Sequence, residues 1–182
     1  MIAGNYLVWI DLEMTGLDPQ HDVILEIATI ITDNNLNIIA TGPALIIHQP
    51  DHLLGAMNEW CIQHHTKSGL VAAVRASTTT SAQAEQETLD FIGQYCLPQT
   101  AILSGNSIFQ DRAFLARYMP SIINFLHYRI LDVSTVKELA RRWYPTDPNN
   151  RFEKKETHRA LTDIQESINE LNHYRKHFFK AE

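Results

Sequence analysis

The sequence "YLVWIDLEMTG" occupies residues 6–16. Its first five residues, Tyr6–Ile10, are apolar and predict a buried strand. Asp11 and Glu13 follow directly, and side chains two residues apart in a strand point to one face, roughly 6.6 Å apart. Two carboxylates beside a core repel each other and lose hydration, a cost that divalent cations would offset. A solvated strand end with two exposed acids is the competing interpretation, which the pair alone favours.

Length and charge restrict the functions that the chain can have. The 182 residues suffice for one domain with a sizeable core, spanning 1–182. With 15 basic and 21 acidic residues the formal net charge is −6, which argues against the broad cationic surface that long nucleic acids need. A nucleic-acid partner is therefore expected to be short, or held at one local site.

The cysteines and the apolar runs predict a cytoplasmic setting. Cys61 and Cys96 form no C-x-x-C pair, so they are expected to be reduced core thiols rather than zinc ligands. The N-terminal apolar stretch has no cationic region before it and resembles no signal peptide. No apolar run approaches the length of a membrane helix.

Strand and helix patterns divide the chain into two parts. Three early runs predict a β-meander: Tyr6–Ile10, Ile24–Thr32, and Ile38–Ile47 with a break at Gly42-Pro43. From residue 51 onward helices alternate with two short strands, Ala101–Ser104 and Tyr128–Leu131. One helix has Ser81 as its candidate N-cap, another begins at an Asp132 N-cap, and a polar loop covers 145–156. We expect a single α/β domain whose mixed β-sheet is flanked by α-helices.

Two further acids and one histidine stand out later in the chain. Asp111 ends "SGNSIFQD" in the first turn of a helix, where an aspartate can simply complement the helix dipole. Asp163 ends "THRALTD" near the start of the last helix, where a solvated acid is common. His158 precedes Asp163 by five residues, about 500° of helix rotation, so it is expected at the helix start or in the loop before it.

Taken together, these signals form an ordered pattern. D-x-E-x-T-G, an aspartate on a helix and H-x₄-D resemble the DEDDh exonuclease superfamily, which has a ribonuclease H-like fold; the related DEDDy branch would have tyrosine at Arg159. Five longer stretches are similar to the oligoribonuclease family, from about residue 5 to residue 178. They are "WIDLEMTGLDP", "MNEWC", "GNSIFQDRAFL", "HYRILDVSTVKELARRW" and "DIQESINEL".

The resemblance implies a reaction and the residues that perform it. The chain would be a 3′→5′ exoribonuclease that hydrolyses short oligoribonucleotides, especially dinucleotides, to nucleoside 5′-monophosphates. Two divalent cations, Mg²⁺ or Mn²⁺, would be held by the four acids, Asp11, Glu13, Asp111 and Asp163. His158 would be the general base, a role that suits a side chain with an unperturbed pKa near about 6.5.

The resemblance also implies substrate contacts. Leu17 would wedge against the bases, Trp60 would stack on the 3′ base, and His65 and Ser107 would contact nucleotide and phosphate. A cap for the 5′ phosphate would be completed across a homodimer interface by Tyr128, Arg129, Ser134 and Thr135. Without the family, Trp60 reads better as a core residue of an amphipathic helix with Met57. Asp132 reads better as an N-cap than as a fifth metal ligand.

Some observations leave alternatives open. Phe109 is bulky, and His64 a histidine, where the family usually has a small residue and a threonine. A DEDDh exonuclease acting on longer DNA or RNA ends, by proofreading or tRNA trimming, is the nearest rival, although it should show a basic track for the strand. A nucleic-acid-binding module without activity is a second rival, which the intact set of acids argues against.

Overall fold

The computed structural model describes residues 6–153 and 159–180. In these residues one five-stranded sheet has the order β3-β2-β1-β4-β5. β1–β2 and β2–β3 are antiparallel, and β1–β4 and β4–β5 are parallel, which confirms the predicted mixed sheet. The strands are β1 (Leu7–Met14), β2 (Ile24–Thr32), β3 (Ile38–Ile46), β4 (Ile102–Gly105) and β5 (His127–Asp132).

Helices flank the sheet on both faces. No helix within 6–153 and 159–180 is both long enough and apolar enough to span a bilayer. The helices are α1 (Asp51–Gly55), α2 (Glu59–Lys67), α3 (Leu70–Ala76), α4 (Ser81–Gly93), α5 (Ile108–Tyr118), α6 (Pro120–Phe125), α7 (Val133–Trp143) and α8 (Ala160–Phe178), with a short 3₁₀ helix at Pro148–Asn150.

The central strand β1 serves two cores because its side chains alternate between the two faces. Val8, Ile10 and Leu12 pack into a core with α4, α5 and α6. Leu7 and Trp9 face the other way, into a core formed with apolar residues of α7 and α8. Asp11 and Glu13 point to the same face as Leu7 and Trp9. The two acids therefore lie just beyond the end of the core that α8 covers.

Several boundaries differ from the predictions. β1 does not stop at Ile10 but runs through both acids to Met14, because β2 pairs with it along its whole length. β3 continues through Gly42-Pro43, where its pairing register with β2 shifts as the predicted break suggested, and it ends at Ile46. Cys61 and Cys96 are free and buried, as expected of core thiols.

Of the two predicted helix N-caps, Ser81 is wrong and Asp132 is confirmed. Thr80, not Ser81, is the N-cap of α4: its hydroxyl accepts from the Gln83 N–H, and the Gln83 side chain accepts from the Thr80 N–H. This reciprocal capping box satisfies two N–H groups, which Ser81 one residue later could not do. Asp132 is the N-cap of α7, as predicted, and accepts from the Ser134 N–H at 2.9 Å.

Candidate active site

Three carboxylates meet at the edge of the sheet. Asp11 and Glu13 project from β1, and Asp163 lies in the first turn of α8. One oxygen from each lies within 4.8 Å of the other two, and all three residues are partly exposed. Carboxylate oxygens in such a group are the ligands that Mg²⁺ and Mn²⁺ prefer, and the partial exposure leaves an entry path.

The fourth predicted acid, Asp111, lies against the same segment of β1. It is buried in the first turn of α5, and its Oδ1 accepts a hydrogen bond from the Leu12 N–H at 3.0 Å. Leu12 lies between Asp11 and Glu13, so this bond holds α5 beside the acid pair. The structure therefore places Asp111 beside the three clustered acids, although the sequence spreads the four over more than 150 residues.

Crowding changes the proton affinity of these acids. Burial, with the nearby charges of Asp163, Glu26 and Asp111, raises the pKa of Glu13 to about 8, although the Arg159 cation opposes the rise. Burial also raises the pKa of Asp111 to about 7, against the lowering effect of its backbone hydrogen bonds. Carboxylates that are costly to ionise without a counter-charge fit a site for divalent cations.

A half-buried ion pair lies next to Glu13, and no sequence pattern predicted it. Glu26 pairs with Glu13 across the β1–β2 ladder and is 1% exposed. Arg159, which directly precedes α8, donates from Nη2 to Oε1 and from Nε to Oε2 of Glu26, both at 3.0 Å. A charged residue in the apolar run "ILEIATII" was the available signal. Arg159, the partner of Glu26, lies 133 residues away, and no signal in the sequence linked the two residues.

The turn after β1 shows why residue 16 is a glycine. The Asp22 carboxylate accepts from Thr15 Oγ1 at 2.9 Å and from the Asp18 N–H at 3.0 Å. A Cβ on Gly16 would lie 2.7 Å from Asp22 Cγ, so the close approach of this carboxylate excludes a side chain. The turn leaves Leu17 71% exposed, and the Leu17 carbonyl accepts a hydrogen bond from the Gln110 side chain.

Helix α2 places its aromatic residues in two different environments. Trp60 is 56% exposed, so its interpretation as a core residue is wrong, whereas Met57 is buried. The Trp60 indole stacks on the His64 ring with centroids 4.0 Å apart. His65 is buried, donates from Nε2 to the Met14 carbonyl at 2.9 Å, and has Nδ1 3.8 Å from Glu13 Oε2. His65 thus lies against the acid-bearing strand rather than on an open surface.

Three hydroxyl residues lie where α5 and α7 begin. Ser107 Oγ and Ser134 Oγ are 3.0 Å apart. Asp132 Oδ1 accepts from the Ser107 and Ser134 N–H groups, both at 2.9 Å, and Thr135 is exposed in the first turn of α7. Asp132 is thereby occupied by backbone donors, consistent with an N-cap.

Among the described residues, Tyr128 and Arg129 lie apart from the acid cluster, two strands away from β1. Tyr128 and Arg129 are exposed on the edge strand β5. Asp132 at its other end pairs with Gly105, and Arg129 lies about 10 Å back along the strand from Asp132. Phe109 is 61% exposed at the start of α5. His158, the predicted general base, lies outside the described residues.

A mixed sheet with clustered acids on β1, α5 and α8 defines a class of protein, the metal-dependent nucleases. The family model described as Exonuclease, RNase_T, matches residues 8–171. The chain is also similar in fold to the zinc-bound E. coli ExoI–ssDNA complex, with a TM-score of 0.73 at 15% identity. That match covers 97% of this chain but 41% of the other, so this chain spans about two fifths of ExoI.

Relatives with higher sequence identity identify the family within this class of nucleases. The chain is 58% identical to "Oligoribonuclease" of Marinobacter nauticus over 180 residues, covering 99% of each chain. It is 56% identical to "Oligoribonuclease, mitochondrial" of Homo sapiens over 184 residues, covering 99% of this chain and 78% of that one. The chain belongs to the oligoribonuclease family of exonucleases.

Proposed function

We propose that this chain is a 3′→5′ exoribonuclease that hydrolyses short oligoribonucleotides, especially dinucleotides, to nucleoside 5′-monophosphates. The observation that carries the proposal is the group formed by Asp11, Glu13 and Asp163, with oxygens within 4.8 Å of one another. Family membership supports the reaction, and the shared name of the relatives supports the substrate class. The proposed catalytic domain spans residues 1–182.

The four acids, including Asp111, would hold two divalent cations, Mg²⁺ or Mn²⁺. When bound at such a site, a cation pair activates water and stabilises the leaving oxygen of a phosphodiester. The Glu26–Arg159 ion pair fixes β2 to the start of α8 and so holds Asp163 opposite β1. His158, next to Arg159 in the sequence, is proposed to take the proton from the attacking water.

The preference for short substrates would come from contacts at both ends of a dinucleotide. Leu17 and Trp60 both expose large apolar surfaces, which suits a wedge and a stacking platform for bases. The buried imidazole of His65, whose Nδ1 lies near the Glu13 carboxylate, would contact the nucleotide beside Leu17 and Trp60. The hydroxyls of Ser107 and Thr135 would bind the terminal 5′ phosphate, with Ser134 positioning Ser107 from 3.0 Å away.

A homodimer would complete this cap. Tyr128 is 69% exposed and Arg129 is also exposed, on an edge strand that lies two strands away from the acid-bearing β1. In a dimer paired near β5 they could reach the partner's site, where a guanidinium would bind phosphate through two donors. A closed 5′ end leaves no path for a longer strand, in keeping with the net charge of −6.

Cleavage of RNA of different lengths tests the proposal. The protein is incubated with Mg²⁺ or Mn²⁺ and 5′-phosphorylated RNA of about two, five and twenty nucleotides, with Asp11→Asn as the inactive control. We expect the dinucleotide to be cleaved fastest. Equal or faster cleavage of the longest RNA would contradict the short-substrate proposal and favour an exonuclease of longer DNA or RNA ends.

The cytoplasmic setting also stays a prediction. The human relative is named as mitochondrial, so relatives need not share one compartment. Fractionation of cells that express a tagged full chain would locate the protein, and recovery in a membrane-enclosed compartment would contradict the prediction.

A further inference from the structure

Besides Glu26, a second buried acid lies outside the set of proposed metal ligands. Glu170 on α8 is 1% exposed, and hydrogen-bond donors surround its carboxylate. Asn106 Nδ2 lies 3.0 Å from Oε2, while Tyr174 OH and Lys137 Nζ lie 3.3 Å and 3.5 Å from Oε1. A carboxylate accepts hydrogen bonds and does not donate them. Glu170 therefore requires the donor group of the Asn106 amide, Nδ2, to face it.

Asn106 transmits this orientation to a serine. With its Nδ2 directed at Glu170 Oε2 and at Ser167 Oγ, at 3.0 Å and 2.8 Å, its Oδ1 must point the opposite way. There it accepts the Ser134 hydroxyl at 3.1 Å. The single hydroxyl proton of Ser134 is thereby committed to Asn106, and the Ser134 oxygen is left as an acceptor.

Ser107 lies at the end of this chain of hydrogen bonds. Its N–H donates to Ser134 Oγ at 3.0 Å as well as to Asp132. These bonds hold Ser107 at a φ of 51°, a left-handed conformation that non-glycine residues seldom adopt. Since the Ser134 hydroxyl donates to Asn106, Ser107 must be the donor in the hydrogen bond between the two hydroxyls. A phosphate oxygen can accept the Ser107 hydroxyl in place of Ser134.

We propose that Glu170 is a positioning residue which, through Asn106 and Ser134, holds the Ser107 hydroxyl as the donor to the 5′-terminal phosphate of the substrate. The inference rests on the proposed function, in which Ser107 contacts that phosphate. Glu170 itself does not touch the substrate. It acts by setting which atoms in the hydrogen-bonded chain donate and which accept.

The test compares a dinucleotide with and without a 5′ phosphate in each variant and uses the ratio of the two kcat/KM values. A partly folded preparation cancels in this ratio, so a purely structural role does not move it. We expect Glu170→Met and Asn106→Ala to lower the ratio about tenfold, the scale of one hydrogen bond to a charged group. Glu170→Gln keeps an acceptor for Asn106 and should stay within about threefold of wild type.

Two further single variants and one double variant extend the test. Tyr174→Phe removes a donor from the other oxygen of Glu170 and should leave the ratio unchanged. Asn106→Asp sets two carboxylates against each other and should lower the ratio. Combining it with Glu170→Gln should restore the ratio, because the amide introduced at position 170 can then donate to the new carboxylate at position 106.

The outcomes separate this inference from the proposed function. If wild type shows no preference for the 5′ phosphate, or Ser107→Ala leaves the preference intact, the proposed phosphate contact fails. If wild type shows the preference and Ser107→Ala loses it, while both Glu170→Met and Asn106→Ala keep it within about twofold, the positioning role of Glu170 is overturned.

Discussion

Filling the acid cluster with a divalent cation should release protons near neutral pH. With a pKa of about 8, Glu13 is about 0.9 protonated at pH 7 in the metal-free protein. With a pKa of about 7, Asp111 is about 0.5 protonated. Because metal ligation requires carboxylates, saturation should release about 1.4 protons at pH 7. The release should fall to about 0.1 at pH 9, where both groups are already ionised.

Calorimetry measures this release directly. Mn²⁺ is titrated into metal-free protein at pH 7 in two buffers whose ionisation enthalpies differ widely. The difference between the two binding enthalpies, divided by the difference between the buffer enthalpies, gives the protons released. Equal heats in both buffers at pH 7 would show that the acids are ionised before metal binds, and would refute the reasoning. The same titration at pH 9 is the control.

The same carboxyl group predicts how stability depends on pH without metal. The folded pKa of Glu13, about 8, lies above its ordinary value of 4.5, so its contribution is fully present below pH 4.5 and lost as pH rises toward 8. Between pH 6 and pH 8 Glu13 should lower the free energy of unfolding by about 2 kcal/mol, and Asp111, whose pKa is raised to about 7, should lower it by about 1 kcal/mol more. Urea denaturation with EDTA measures it, and excess Mg²⁺ should remove the fall. Stability that rises with pH in the absence of metal would contradict this account.

Three substitutions give further tests. Asp11→Ala should abolish turnover while the protein stays folded by circular dichroism, and activity within about tenfold of wild type would remove Asp11 from the site. Arg159→Met leaves the Glu26 carboxylate buried without its guanidinium and should cost about 2 kcal/mol in urea denaturation, less than a fully buried pair because Arg159 is 40% exposed. Adding Glu26→Gln should recover most of that loss; no loss in the single variant would show that the pair is not structural. Arg129→Ala should raise KM for the 5′-phosphorylated dinucleotide about tenfold without lowering Tm, and unchanged kinetics would exclude Arg129.

The sheet was predictable because its signals are local. The limits of β2 follow from a run of mostly apolar residues that contains Glu26 and Thr29, and Asp132 caps α7 through a residue two positions away. β1 was predicted too short because a charged residue normally ends a buried strand. Here β2 continues to pair with the acids, and no local pattern reveals that pairing.

The site was only partly predictable for the same reason. Asp11 and Glu13 share a face by strand geometry alone, but the bond from Leu12 to Asp111 and the ion pair of Glu26 with Arg159 join residues about 100 or more positions apart. The exposure of Trp60 likewise depends on how α2 lies on the sheet, which its own periodicity does not give.

Because Asp11 and Glu13 lie on β1, enzymatic activity depends on the correct pairing of that strand. Asp11 and Glu13 occupy the same row as Leu7 and Trp9, so slipping β1 by one residue would turn the acids into the opposite core and move Val8, Ile10 and Leu12 to the face that carries the site. No chain that pairs this strand out of register can therefore keep a working site. In refolding or directed-evolution experiments, the specific activity of a preparation would count its correctly paired molecules, without the need for a separate structural probe.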